Sequence, residues 1–346
     1  MAGPPQTKPP PPRKARDRKK DPADAAGQEP LPPGRLTGKV VGDTYLIQEV
    51  IGRGGMGTVY RAQHVRTGHP FAVKSLNRVA SRYPRALDRF RQEAQILIRL
   101  RHPNIAALHD FFEDVEGVPL IVMEYLSGQD LDTVVTGSGP LALPRAVSVA
   151  YQVGRALRET HRQGVIHRDL KPENIYLCPD PHSGETVKVL DFGLAKELSF
   201  ARSLTGSGFF VGTPGFNSPE QAREDARIDH RSDIFCLGLI LYYMLSGERP
   251  FAGDPVDVLN RIASQDPPPL SGLRPRISAG LVAVVEKAIR KHPDERFQTV
   301  QEMLTALRGL RGHLETRPLL SPRLWAAALG AVLALLAATA LIWLIR

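Results

Sequence analysis

The chain has 346 residues, 42% of them hydrophobic, and a net charge of +9. That length allows one large domain or two lobes with a buried core. Its two cysteines, Cys178 and Cys236, are far apart and form no CxxC pair. This argues against a disulfide framework or a structural zinc site and suits a reducing compartment. Residues 1–30 contain no apolar stretch of the kind a cleavable signal peptide needs.

The first 36 residues carry 8 basic and 4 acidic side chains among many prolines and almost no large apolar residue. Such a segment cannot bury enough surface to offset chain entropy, so residues 1–40 are expected to be a disordered tail. Residues 41–313 read as the folded domain. TYLIQEVIG, GTVYRAQHV and HPFAVKSL predict strands separated by turn residues. RALDRFRQEAQILIRL places Leu87, Phe90, Ala94, Leu97 and Ile98 on one helical face. PLIVMEYL reads as a buried strand, and the pattern beyond Gly139 is mostly helical. A strand-rich part followed by a helical part predicts an α+β protein of two lobes with a cleft between them.

Residues 314–323 read as a linker. Residues 324–345 carry no charge, and as a helix they span about 33 Å, enough to cross a bilayer's hydrocarbon core. Trp325 and Trp343 lie near the ends of this run, where interfacial aromatic belts form. Arg308, Arg311, Arg317 and Arg323 precede it and only Arg346 follows, an asymmetry that keeps the folded domain cytoplasmic. With the chain ending there, one C-terminal transmembrane helix and no extracytoplasmic domain are expected. Ala326, Gly330, Ala334 and Ala338 recur every fourth residue, a spacing that lets two membrane helices approach and makes a homodimer possible. The basic excess has no interleaved aromatic residues, so nucleic acid is not an expected partner.

The stretch GRGGMGTVY, Gly52 to Tyr60, fits G-x-G-x-x-G. A dinucleotide fingerprint needs a helix straight after the glycines and an acid about 20 residues on. Here Thr58, Val59 and Tyr60 favour a strand, and the sequence near 77 is SLNR. A strand–turn–strand hairpin remains, in which Gly52, Gly54, Gly55 and Gly57 let backbone amides approach phosphate oxygens. FAVK places Lys74 on a strand beyond that hairpin, where it can neutralise phosphate charge, with Glu93 on the amphipathic helix as the carboxylate to hold it.

HRDLKPEN (His167–Asn174), DFG (Asp191–Gly193) and GTPGFNSPE (Gly212–Glu220) follow in order. With the glycine hairpin and Lys74, they resemble the protein-kinase superfamily over about residues 45–313. Bacterial eukaryotic-like (Hanks-type) membrane-anchored serine/threonine kinases are the nearest likeness. The resemblance implies a bilobal kinase fold, ATP and Mg2+ as cofactors, and protein substrates. It implies that Asp169 orients the substrate hydroxyl, since a carboxylate is a weak base near neutral pH. It gives Lys171 the role of stabilising the transferring phosphoryl group, and Asn174 and Asp191 that of supplying oxygen ligands to Mg2+. It places adenine among Ile51, Val59, Ala72, Met123 and Tyr176, with Glu124 and Leu126 in the hinge. Tyr176 departs from the usual aliphatic residue there. A catalytically silent scaffold is the alternative, against which Lys74, Asp169, Asn174 and Asp191 are all present.

The same resemblance marks structural residues. Asp233 is expected to hold the backbone of the HRD loop, and Glu220 to pair with Arg296. Leu97, Leu108, Phe192 and His167 are expected to stack across the lobes. His102 and His161 read as structural, and Cys236 as a small buried thiol. Arg168, which precedes Asp169 in the motif, implies activation by phosphate on the loop that carries Ser199, Ser203, Thr205 and Ser207, with Thr205 favoured.

Overall fold

Six antiparallel strands build the first lobe of the computed structural model, which describes residues 34–54, 57–76, 94–95, 97–192, 214–225, 228–274 and 277–315. The strands are β1 (Val40–Val41), β2 (Tyr45–Gly54), β3 (Gly57–His64), β4 (Pro70–Leu76), β5 (Leu108–Glu113) and β6 (Pro119–Glu124), in the order β1-β2-β3-β4-β6-β5. β4 is central, and Phe71 to Leu76 are all buried, as an apolar strand covered on both faces should be. One face packs Tyr45, Ile47, Tyr60, Phe71, Val73, Leu120 and Val122 into a separate small core. Residues 94–95 and 97–99 are helical, with Ala94 and Leu97 buried, in keeping with the predicted face. Leu87 and Phe90 lie outside the described residues.

The packed part begins earlier than the expected boundary at 41. Leu36 is buried in the small core, and Arg35 donates to Asp114 Oδ2 at 2.5 Å and approaches Glu116 at 3.3 Å. One leucine and one arginine after a proline-rich run present no periodicity, so the sequence pattern does not show this clasp.

The second lobe is chiefly helical. Among the described residues its helices are α1 (Leu131–Ser138), α2 (Leu143–Arg162), α3 (Pro219–Ala222), α4 (His230–Ser246), α5 (Pro255–Ser264), α6 (Leu270–Leu273), α7 (Ala279–Ala288) and α8 (Val300–Glu315). Asp229 caps the start of α4 through the Arg231 amide, and Gly247 ends it in the left-handed region at φ 77°. Every residue of α4 from Ser232 to Leu245 is buried, so it forms the axis of the lobe. Gly154 on α2 lets Leu304 of α8 pack close.

A three-stranded sheet faces the first lobe: β7 (Gln129–Asp130), β8 (Ile175–Asp180) and β9 (Gly184–Val189). Val189 also bridges to Ile105, which ties the lobes together. Among the described residues no helix is long and apolar enough to cross a membrane. The apolar run at 324–345, the linker before it and the small-residue repeat within it lie outside those residues.

Candidate active site

The loop between α2 and β8 collects the polar side chains of HRDLKPEN. Its backbone is pinned from below by Asp233 on α4. Asp233 Oδ2 accepts from the His167 amide at 2.8 Å and Oδ1 from the Arg168 amide at 3.0 Å. His161 Nε2 lies 2.7 Å from the same Oδ2, so His161 has the structural role expected of it. Burial would push the Asp233 carboxyl up, but the hydrogen bonds from the His161 ring and the His167 amide outweigh it and hold it below its ordinary value. Gln221, on α3, donates to the Arg168 carbonyl at 2.6 Å while closing a capping box with Ser218.

His167 is fully buried and takes one tautomer. Its Nδ1 accepts from the Asp169 amide at 3.3 Å, so Nε2 carries the proton and donates to the Leu190 carbonyl at 3.0 Å. Burial lowers its pKa, in keeping with a neutral ring. Its ring centre is 4.6 Å from that of Phe192, one contact of the expected stack, and Leu97, Leu108 and Phe192 all belong to the main core.

Asp169 Oδ2 lies 3.0 Å from Lys171 Nζ and accepts from Asn174 Nδ2 at 3.2 Å. Asn174 Nδ2 also donates to the Asp169 carbonyl at 2.8 Å. Burial opposes the Lys171 charge, but the Asp169 carboxylate wins and raises its pKa. Across the cleft, Lys74 Nζ donates to Asp191 Oδ2 at 2.6 Å. Burial pushes the Asp191 carboxyl up, and Lys74 more than offsets it, so the group is held below its ordinary value. Arg168 and Asp191 have φ of 61° and 51°. That conformation costs a non-glycine residue on the order of 1–3 kcal/mol, and the surrounding bonds hold both residues there.

The glycine hairpin closes where Gly54 pairs with Gly57. A Cβ on Gly57 would lie 2.1 Å from the Ser75 carbonyl oxygen, whereas one on Gly54 would meet open space. Gly57 is therefore required by the hairpin itself. Ala72 pairs with Met123 across β4 and β6, and both join the main core with Val59 against them. Ile51 is exposed on the β2 side and Gly52 pairs with Val59. Leu126 follows β6, and Tyr176, half-buried on β8, pairs with Lys188. Glu124 ends β6, and its carboxylate is 2.6 Å from Lys188 Nζ on β9. Sequence reasoning missed Lys188 because a pair 64 positions apart has no spacing signature; Gln221 was legible only as part of an S-x-x-Q cap.

Asn174 and Asp191 present hard oxygen donors, and two such groups suit Mg2+, which completes its shell with phosphate and water. No group of three or more His, Cys, Asp or Glu side chains fit to hold a metal occurs among the described residues. Glu93, Gly55, Gly193, Thr213 and the loop hydroxyls Ser199, Ser203, Thr205 and Ser207 lie outside them.

This arrangement coincides with a family match: residues 45–306 fit the family described as protein kinase domain. The chain belongs to the protein kinase family. Serine/threonine-protein kinase pkn3 of Myxococcus xanthus is 38% identical over 279 residues, 79% of this chain and 51% of its own. PknB of Mycobacterium leprae is 40% identical over 265 residues, 75% of this chain and 42% of its own. The chain thus spans about half or less of these curated relatives. Among solved structures, the PknI kinase domain of Mycobacterium tuberculosis superposes with a TM-score of 0.65 at 26% identity, covering 80% of this chain and 98% of that one. Rad53 1–466 in complex with AMP-PNP gives a TM-score of 0.62 at 30% identity over 76% of this chain and 64% of that one.

Proposed function

We propose that the chain is a serine/threonine protein kinase that transfers the γ-phosphoryl group of ATP to Ser and Thr hydroxyls of proteins. The observation that carries this reading is the grouping of Asp169, Lys171 and Asn174 on one pinned loop, opposite the Lys74–Asp191 pair. Its serine/threonine-kinase relatives and the Lys171 position favour Ser and Thr as acceptors.

Phosphoryl transfer passes through a loose transition state, so the protein chiefly positions groups and balances charge. Lys171 and Asn174 orient the Asp169 carboxylate toward the acceptor hydroxyl, which passes its proton to that carboxylate as its oxygen bonds the γ-phosphorus and the bond to the ADP oxygen breaks. Lys171 is placed to share its charge with the transferring group. Lys74 faces the phosphates beneath the glycine hairpin, and adenine packs among Ile51, Val59, Ala72, Met123 and Tyr176 with Glu124 and Leu126 at the hinge. Asn174 and Asp191 would hold Mg2+, which neutralises charge on the phosphates when bound. Glu93 would supply the carboxylate that holds the Lys74 ammonium, leaving Asp191 free to serve as a ligand to Mg2+.

The kinase also phosphorylates its own loop at Thr205 and is tethered to the cytoplasmic face of a membrane by residues 324–345. The uncharged run and the flanking arginines support the tether. The small-residue repeat supports pairing of two copies through the span, which Gly330→Ile in a membrane dimerisation reporter would abolish.

The decisive assay uses the full chain in lipid nanodiscs, stripped of phosphate, with labelled ATP and Mg2+, beside Asp169→Asn. Label on Ser and Thr in the wild type alone is expected. No label in either protein, with ATP still bound, would establish the scaffold instead. Deleting 324–345 should move the protein from the carbonate-resistant membrane fraction to the supernatant; unchanged fractionation would remove the tether.

A further inference from the structure

Beside the transfer loop lies a charge cluster that the phosphoryl chemistry does not use. Glu173 stands on the 3-10 turn Pro172–Asn174, two residues beyond Lys171 and within its electrostatic reach. Asp132 is in the first turn of α1. Arg249, just past the end of α4, lies between them: its Nη2 is 2.7 Å from Asp132 Oδ1 and 3.8 Å from Glu173 Oε1. The guanidinium carbon is 5.7 Å from the ring centres of both Phe216 and Tyr243. The Tyr243 hydroxyl donates to the same Asp132 oxygen at 3.0 Å.

Arg296 closes its hydrogen bonds in full, with donors to Glu220 and to three carbonyls. Arg249 does not. Its Nη1 and the Glu173 Oε2 are buried with no hydrogen-bond partner among the described residues. A buried donor and a buried acceptor left open each cost stability, so Arg249 is not placed here for stability alone. Lys171, whose charge reaches Glu173, lies 3.0 Å from Asp169, so the cluster flanks the carboxylate that an acceptor hydroxyl must approach.

We propose that Arg249 is a specificity-determining residue: from within the chain it fills an acidic subsite that a basic residue of a peptide substrate would otherwise occupy. This rests on the kinase reading. Asp132 and Glu173 together would attract a Lys or Arg flanking the accepting Ser or Thr. With Arg249 present, a peptide Arg meets a like charge, and an uncharged residue is preferred.

The test is transfer by the full chain in nanodiscs to a set of Ser peptides in which each flanking position is Arg, Glu or Ala in turn. Wild type is expected to gain nothing from Arg at the position in question. Arg249→Met, which keeps side-chain bulk against the two rings, should raise kcat/KM at least tenfold for a peptide with Arg at one flanking position. Arg249→Met combined with Glu173→Gln should lose that gain. If the Met variant melts more than ten degrees below wild type, Arg249→Gln takes its place. Equal selectivity of wild type and the Arg249 variant overturns the proposal. So does a strong wild-type preference for Arg that Glu173→Gln removes, because the subsite would then be open to substrate. No transfer by wild type to any peptide removes the kinase reading and this proposal with it.

Discussion

Replacing Arg296 by Ala tests how far one buried ion pair supports the second lobe. The Arg296 side chain is fully buried. It donates to both Glu220 oxygens at 2.8 and 2.9 Å and to the carbonyls of Arg290, Arg231 and Lys291 at 2.7–3.0 Å. Its guanidinium also lies 4.8 Å from the Phe235 ring centre. Truncation leaves Glu220 charged and buried with, among the described residues, only Ser232 as a side-chain donor, at 2.5 Å. Breaking a buried pair in this way costs about 3–5 kcal/mol. For a domain of this size that is a fall in Tm of about 6–20 °C. Burial pushes the Glu220 carboxyl up, and the Arg296 bonds and charge outweigh it and hold it below the ordinary 4.5. The pair's stabilisation is therefore full above 4.5 and lost as the pH falls through the folded-state value. In the variant burial is no longer outweighed by Arg296 and the carboxyl rises, so the deficit should be greatest at neutral pH and shrink as acid protonates Glu220. Differential scanning calorimetry at pH 7.5 and in stepwise more acid buffers reads both effects. A Tm within about 2 °C of wild type at neutral pH would refute the reasoning.

Three further outcomes follow from the packing. Gly238→Ala should lower the urea midpoint, because its Cβ would lie 2.8 Å from both Ala288 Cβ and Ile289 Cγ2; overpacking at about 1–3 kcal/mol exceeds the helix preference of about 1 kcal/mol for Ala, and a raised midpoint would show the contact to be soft. Leu36→Ala should cost about 2–5 kcal/mol and a chain begun at residue 41 more, since the latter also loses the Arg35–Asp114 pair; equal melting of chains begun at 34 and 41 would show the clasp to be idle. Asp233→Asn leaves one acceptor oxygen for donors from His161, His167 and Arg168, and about 1.5–3 kcal/mol of stability should be lost together with kcat for transfer; unchanged kcat would mean that the pinned loop does not govern turnover.

The parts of the site that rest on local backbone and fixed spacing were legible in the sequence. The glycine hairpin, the HRDLKPEN loop and Asp191 each need particular residues at short range. Asp233 and the Glu220–Arg296 pair were legible by resemblance. What could not be read were pairings between distant segments. Lys188 meets Glu124 only because β9 passes under the end of β6. Arg249 reaches Asp132 and Glu173 across 117 and 76 positions, and nothing in LSGERPF marks it as their partner. The β8–β9 hairpin lay in a stretch read as mostly helical, because Ile175, Leu177, Val187 and Val189 alternate over too few residues to stand out. Leu36 escaped notice because a lone leucine after prolines has no period to reveal it.

The hold of Asp233 on the loop has a consequence for time as well as place. The amides of His167 and Arg168 belong to irregular chain, yet their acceptor is a carboxylate on a helix that is buried from Ser232 to Leu245. To release either amide, α4 must move or the aspartate must be drawn out of the interior. Solvent hydrogen should thus reach these two loop amides only as often as the whole lobe opens, far more slowly than their lack of secondary structure implies. The segment nearest the reaction keeps the clock of the core.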